Sequence, residues 1–184
     1  PASMSSISIA QLPNLFAPRR FYALIALASL LMLLYALYTQ YFQGLEPCPL
    51  CMLQRIAMIG LMLVCAIAAL HNPARKGWIV YGILAVAVAG TGTGLSARHV
   101  WLQLQPPDLM GMCAPPLDVM VQGIQFGSLK VGEVLARILT AKGDCAEVDW
   151  VMLGISMPGW VLIWCSYCVI TLAYSAFVAA RRLR

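Results

Sequence analysis

Four long apolar runs dominate this sequence and restrict what the chain can fold into. They cover roughly Phe21–Tyr41, Leu50–Leu70, Gly77–Ala97 and Gly159–Ala180. Each supplies the roughly 20 apolar residues that an α-helix needs to cross the hydrocarbon core of a bilayer. Hydrophobic residues make up 61% of the chain, whereas soluble domains are about 45–50% apolar. The sequence therefore predicts an all-α membrane protein, a single four-helix transmembrane domain over residues 1–184.

Clusters of basic residues beside the apolar runs predict the orientation of the bundle. Arg19-Arg20 precede the first run, Arg75-Lys76 separate the second from the third, and Arg181, Arg182 and Arg184 follow the fourth. Two crossings separate successive clusters, so all three fall on one side of the membrane. The positive-inside rule makes that side cytoplasmic, together with both termini. The net charge of +5 is thus a topology signal, and no nucleic-acid partner is expected.

Two connecting segments are then expected on the outer, periplasmic side. One is short, about residues 42–49, and the other is long, about residues 99–158. Within the long segment, apolar residues recur at mostly helical spacing, which predicts a short amphipathic helix on the membrane surface. These residues are Leu129, Val131, Val134, Leu135, Ile138 and Leu139.

The seven cysteines divide into two groups by position. Cys48, Cys51, Cys113 and Cys145 fall at or outside the ends of the apolar runs. An even number of loop cysteines suits disulfides if those loops face an oxidising compartment. Cys65, Cys165 and Cys168 fall inside the runs, where we expect small packing residues with little reactivity. The segment Gly90–Gly94 lies inside the third run, where small residues permit close helix packing.

Cys48-Pro49-Leu50-Cys51 is a C-x-x-C motif at the start of the second run. Cysteines at this spacing can close a small disulfide, and a helix N-terminus stabilises a thiolate. The alternative is half of a zinc site. Redox chemistry is favoured over metal because no second pair of ligands shows zinc-like spacing, so no metal site is expected.

Two charged or titratable residues lie at the same outer boundary as this motif. Arg55 follows Cys51 by four residues, so both project from one helix face. Its guanidinium can hold an anion, either the Cys51 thiolate or a reduced cofactor oxygen; the alternative is snorkelling to the lipid headgroups. His99 closes the third run and can donate to a quinone carbonyl or relay a proton, or be an ordinary interfacial residue.

The class of electron acceptor follows by exclusion. The sequence has no C-x-x-C-H motif for haem, no dinucleotide fingerprint after a strand, and no soluble domain to hold a flavin. A lipid-soluble acceptor remains, and it must reach Cys51 near the outer boundary of the membrane.

These residues resemble the disulfide bond formation protein B (DsbB) family of quinone-dependent thiol oxidases. The family motif C-x-L-C-x-x-x-R is matched by Cys48 to Arg55. The resemblance covers essentially the whole membrane domain, through the segments Arg98–Gln103, Cys113, Gly143–Glu147 and Met157–Trp160. Two features depart from the family: the stretch between Cys113 and Cys145 is longer, and Cys165-x-x-Cys168 is no part of the motif.

The resemblance implies an activity and a route for electrons. A reduced DsbA-like protein of thioredoxin fold attacks a Cys113–Cys145 disulfide at Cys113. The electrons pass to Cys48–Cys51, and Cys51 delivers them to ubiquinone or menaquinone, with Arg55 and His99 as cofactor-binding residues. Such proteins sit in the bacterial inner membrane, and the DsbA–DsbB–quinone system keeps the periplasm oxidising.

Two other functions fit the sequence. A membrane oxidoreductase resembling vitamin K epoxide reductase would use Cys165 and Cys168 as its active pair. A disulfide-stapled membrane interaction protein would consume no thiols and bind no quinone.

Overall fold

A computed structural model describes residues 18–45, 47–105, 117–126, 130, 132–134, 136 and 150–181. Its long helices are α1 (Pro18–Gln43), α2 (Pro49–His71) and α3 (Arg75–Gln103). A short helix α4 (Leu117–Gln125) precedes the strands β1 (Val151–Met152) and β2 (Ile155–Ser156), and α5 (Met157–Arg181) follows them. Helices α1, α2, α3 and α5 are each long and apolar enough to cross a membrane. The predicted four-helix membrane protein is confirmed.

The end of α3 differs from the prediction. Hydropathy predicts that the third span ends at Ala97 and that the long loop begins at His99, but the helix continues to Gln103. The extra turns persist because Leu102 is buried against Leu50, Met120 and Val134, and this contact does not depend on lipid. His99 therefore lies within a helix, and the long connection begins at Leu104.

The long connection is described only in part. Cys113 and Cys145 lie outside the described residues. Of the predicted surface helix, residues 132–134 and 136 are helical, and Val134 is buried; its remaining apolar residues lie outside the described ranges. Helix α4 and the β-hairpin are elements that the sequence analysis missed.

Packing in the bundle is closest between α3 and α5, and small residues on α3 make it possible. A Cβ added at Gly92 would lie 2.9 Å from the Cys165 sulfur, and one added at Gly82 would lie 3.0 Å from the Cβ of Ala176. The expectation of close helix packing along Gly90–Gly94 is thus confirmed at Gly92, whereas Gly90 and Gly94 face open space.

Helices α1 and α5 pack little against each other among the described residues. Extensive packing joins α1 to α2, α2 to α3 and α3 to α5, with no comparable contact between α1 and α5 among the described residues. Deep in the bundle, the Trp164 indole N–H donates to the Ser29 hydroxyl at 3.1 Å and bridges the two helices. Beyond this bridge lies the end that carries Cys48, Cys51 and His99, hereafter the cysteine end.

The β-hairpin lies at the cysteine end between α3 and α5. The strands pair Val151 with Ser156 and Met152 with Ile155. The Ser156 hydroxyl donates to the Gln103 side chain at 2.7 Å, and the Trp160 indole N–H donates to the Met152 carbonyl at 3.3 Å. The first bond holds the hairpin to the end of α3, and the second holds it to the first turn of α5.

The close approach at Gly92 predicts an asymmetric response to added methyl groups. Gly92→Ala should lower the free energy of unfolding in detergent by about 1–3 kcal/mol, the usual cost of overpacking. Gly90→Ala, on the same helix, is the matched control and should be neutral or slightly stabilising. In a double-mutant cycle, Cys165→Ala should relieve part of the loss. Equal stabilities of Gly92→Ala and Gly90→Ala would contradict this packing.

Candidate functional site

The C-x-x-C motif forms the first turn of α2. Cys48 is the N-cap residue, with extended backbone angles, and Pro49 occupies the first helical turn, where its missing N–H costs nothing. The Cys51 backbone N–H donates to the Cys48 sulfur at 3.3 Å. The motif is thus fixed by helix capping, with Cys48 at the positive end of the helix dipole. Both cysteines are half-buried thiols.

His99 lies beside both sulfurs and is only 2% exposed. Its Nε2 atom is 3.8 Å from the Cys48 sulfur, and its Nδ1 atom is 4.0 Å from the Cys51 sulfur. The ring therefore contacts each cysteine through a different nitrogen. This burial is incompatible with the alternative of an ordinary interfacial histidine.

Gln54 orients the His99 ring. Its side chain is 4% exposed, and its Nε2 atom lies 3.3 Å from His99 Nδ1. When the amide donates to Nδ1, the proton of the neutral imidazole is on Nε2 and points toward Cys48. Two N–H groups, that of the Cys51 backbone and that of the imidazole, then converge on the Cys48 sulfur.

Arg55 extends from α2 toward α1 and is half-buried. Its Nη1 atom donates to the Gln40 side-chain oxygen, and its Nη2 atom donates to the Ala36 carbonyl at 3.1 Å. These bonds hold the guanidinium inside the protein, which argues against the snorkelling alternative. They also fix a positive charge one turn below Cys51.

A cavity of about 1260 Å³ lies between α1, α2, the hairpin and the start of α5. Its polar wall, near the cysteine end, contains Cys48, Cys51, Thr39, Gln40, Gln54, Arg55, His99 and Gln103. Its deeper wall is mostly apolar and includes Leu31, Leu33, Met58 and Val161. An edge-to-face contact between Tyr35 and Trp150, with ring centres 5.6 Å apart, joins α1 to the residue before β1. The cavity thus suits a molecule with an apolar body and a polar head.

Comparison with known proteins assigns the family. The family model described as "Disulfide bond formation protein DsbB" matches residues 18–175. This chain belongs to the DsbB family. Membership makes it an oxidoreductase of disulfide bond formation, held in a membrane by its apolar helices.

Individual relatives carry the same description, disulfide bond formation protein B. The protein from Xanthomonas euvesicatoria pv. vesicatoria is 42% identical over 135 residues, covering 73% of this chain and 76% of the relative. The protein from Hahella chejuensis is 43% identical over 152 residues, covering 83% and 89%. The protein from Methylococcus capsulatus is 46% identical over 116 residues, covering 63% and 68%.

The three cysteines inside the apolar runs of this DsbB-family chain are placed as the sequence predicts. Cys65, Cys165 and Cys168 are buried among the helices. The Cys165 sulfur contacts the Met58 sulfur at 3.8 Å, and none of the three lines the cavity. Their position is that of packing residues and gives no support to an active pair at Cys165 and Cys168.

Several site residues of this DsbB-family chain escaped the sequence analysis. Gln40 and Gln54 are polar residues inside apolar runs, a signal that could have drawn attention to both. Gln103 and Trp150 lie in the segment that the sequence predicts to be a loop. Gln103 belongs to a stretch that resembles the family, but no role was predicted for it, and nothing in its sequence context distinguishes Trp150. Only the fold brings them to the cavity.

The capping role of Cys48 predicts a stability difference that is separate from redox chemistry. Serine is a strong N-cap and alanine is not, so Cys48→Ala should be about 1 kcal/mol less stable than Cys48→Ser. Thermal unfolding in detergent measures the difference. The same pair of substitutions at Cys51, which does not cap the helix, serves as the control and should differ less. Equal stabilities of the two Cys48 variants would contradict the capping bond.

Proposed function

We propose that this DsbB-family protein is a quinone-dependent thiol oxidase of the bacterial inner membrane. It reoxidises the dithiol of a periplasmic, DsbA-like protein of thioredoxin fold and passes the electrons to ubiquinone or menaquinone. One observation carries the proposal: the Cys48/Cys51 pair, with Arg55 and His99, forms the polar wall of a cavity whose deeper part is apolar.

The residues of the cavity fit a quinone. Its apolar depth, with Leu31, Met58 and Val161, accommodates an isoprenoid tail, and its polar wall offers donors to a carbonyl oxygen. Arg55 and His99 would hold the head group, with Gln54 supporting His99. When bound, a quinone supplies an acceptor for two electrons and two protons.

The side chains of the polar wall have separable roles in this proposal. Arg55, fixed by Gln40 and the Ala36 carbonyl, provides a preorganised positive charge that stabilises negative charge at the head-group position. His99 holds a proton on Nε2, the nitrogen opposite its bond to Gln54, and can exchange it with the Cys48 sulfur. Burial of His99 and Gln54 excludes water from this exchange.

The thiol chemistry balances across two cysteine pairs. Each disulfide made in the partner releases two electrons and two protons. The partner's thiolate attacks Cys113 of a Cys113–Cys145 disulfide, and Cys145 leaves; access at Cys113 is favoured by the Pro115-Pro116 segment that follows it. Exchange with the Cys48–Cys51 disulfide then leaves these two residues as thiols.

The basic clusters support the compartment assigned here. Arg19-Arg20, Arg75-Lys76 and Arg181 lie at the ends of helices opposite the cysteine end. The positive-inside rule makes that end cytoplasmic, so the Cys48/Cys51 pair faces the periplasm and membrane lipid surrounds the bundle.

Purified protein mixed with a reduced thioredoxin-like protein and a soluble quinone should oxidise thiols and reduce the quinone in equal amounts. Cys48→Ser should abolish both reactions, because no disulfide can form with Cys51. Cys165→Ser, which alters a buried cysteine of the other C-x-x-C, is the matched control and should retain activity. Loss in Cys165→Ser with retention in Cys48→Ser would instead favour the vitamin K epoxide reductase-like function. Thiol oxidation in neither wild type nor control would favour a non-enzymatic role.

Arg55→Lys should impair use of the quinone more than use of the protein partner. Lysine keeps the charge but has no planar guanidinium. It therefore cannot donate to both the Gln40 side chain and the Ala36 carbonyl and still face the cavity. The apparent KM for quinone should rise about tenfold, consistent with about 1.4 kcal/mol of lost interaction. Arg98→Lys, one residue before His99 and not lining the cavity, is the control. An unchanged KM for quinone would remove Arg55 from the quinone site.

A further inference from the structure

Three potential metal ligands converge at the polar wall of the cavity. The sulfurs of Cys48 and Cys51 and a ring nitrogen of His99 all lie within 4.8 Å of one another. The sequence alone argues against a metal site, because it shows no second pair of ligands at zinc-like spacing. The fold supplies a third ligand from α3, 48 residues beyond Cys51 in the chain.

The arrangement is close to that of a three-ligand metal site. Zn–S bonds of about 2.3 Å and Zn–N bonds of about 2.0–2.1 Å, at tetrahedral angles, place neighbouring ligand atoms roughly 3.6–3.8 Å apart. The Cys48 sulfur already lies 3.8 Å from His99 Nε2. Small rotations of Cys51 and of the imidazole ring would complete the set. In this form the imidazole proton is on Nδ1, and the Gln54 side-chain oxygen accepts from it. The fourth position would face the cavity, as in zinc sites that keep one position open to water.

We propose that the reduced Cys48/Cys51 pair and His99 bind a thiophilic divalent cation, Zn²⁺ or Cd²⁺, and that the bound cation blocks oxidation of the pair. Two thiolates and one imidazole are the ligands that such cations prefer. Binding replaces the two thiol protons and transfers no electrons. The cation holds the electron pairs that disulfide formation needs, so the cysteines stay reduced.

Binding at this site depends on the redox state of the protein. In the Cys48–Cys51 disulfide, neither sulfur carries a negative charge, and two of the three ligands are lost. The cation would therefore bind only to the reduced enzyme. The proposal uses the same cysteine pair as the proposed function, but it does not require that a quinone binds.

The test uses full-length protein in detergent with Cys113→Ser and Cys145→Ser, so that the loop thiols cannot bind the cation. The protein is reduced, freed of reductant and titrated with Cd²⁺, and bound metal is measured by equilibrium dialysis and by thiolate-to-metal charge-transfer absorption. We expect one Cd²⁺ per reduced chain and none after a chemical oxidant has closed the Cys48–Cys51 disulfide. Binding of equal strength to the oxidised protein, or no binding to the reduced protein, overturns the proposal.

Two sets of variants locate the site. His99→Gln keeps a polar side chain but removes the imidazole, and it should weaken Cd²⁺ binding about 100-fold. Changing a residue that only supports a ligand typically lowers metal affinity about 10–100-fold, and the loss of a ligand should reach at least the top of that range. Cys65→Ala, Cys165→Ala and Cys168→Ala together remove the buried thiols and should leave affinity unchanged. Undiminished binding in His99→Gln, or loss in the buried-thiol variant, places the metal elsewhere and overturns the proposal.

Inhibition provides a separate readout with the unmodified chain. Zn²⁺ should slow thiol oxidation more after pre-reduction than before it, and a chelator should restore the rate. Cd²⁺ binding without any quinone reduction would disprove the proposed function alone. Quinone reduction without Cd²⁺ binding would disprove only the metal site.

Discussion

The bond from the Cys51 backbone N–H to the Cys48 sulfur is the interaction on which the site depends. It fixes where α2 begins, and the start of α2 sets the position of every functional side chain on that helix. Gln54 falls on the buried side, against His99, while Arg55 points toward α1. In the proposed function, the N-cap cysteine thus serves two purposes, since its sulfur both caps the helix and belongs to the redox pair.

The cavity exists because the helices do not pack evenly. Gly92 and Gly82 let α3 approach α5 closely, whereas α1 and α5 pack little against each other among the described residues. The space left on that side is bounded at the cysteine end by the hairpin, which Gln103 and Trp160 hold in place. Close packing on one side of the bundle and a cavity on the other are parts of the same arrangement.

Sequence patterns predict the spans well because insertion into lipid depends on the hydropathy of each segment separately. They fail at the end of α3, where Leu102 is buried by Leu50 and Met120, a contact between distant segments. For the same reason the motif identifies Cys48, Cys51 and Arg55, but not Gln54 or Gln40, whose importance arises only when α1, α2 and α3 meet. The burial of His99 likewise could not be read from its place at the boundary of an apolar run.

The cavity wall on α1 also indicates the route by which the quinone proposed above would enter. Leu31, which lines the cavity, is 58% exposed on the outer surface of α1, where the bundle meets hydrocarbon. A ligand that enters here arrives by diffusion in the plane of the bilayer. Its supply then depends on the number of ligand molecules per unit area of membrane, and a larger volume of surrounding water leaves that supply unchanged.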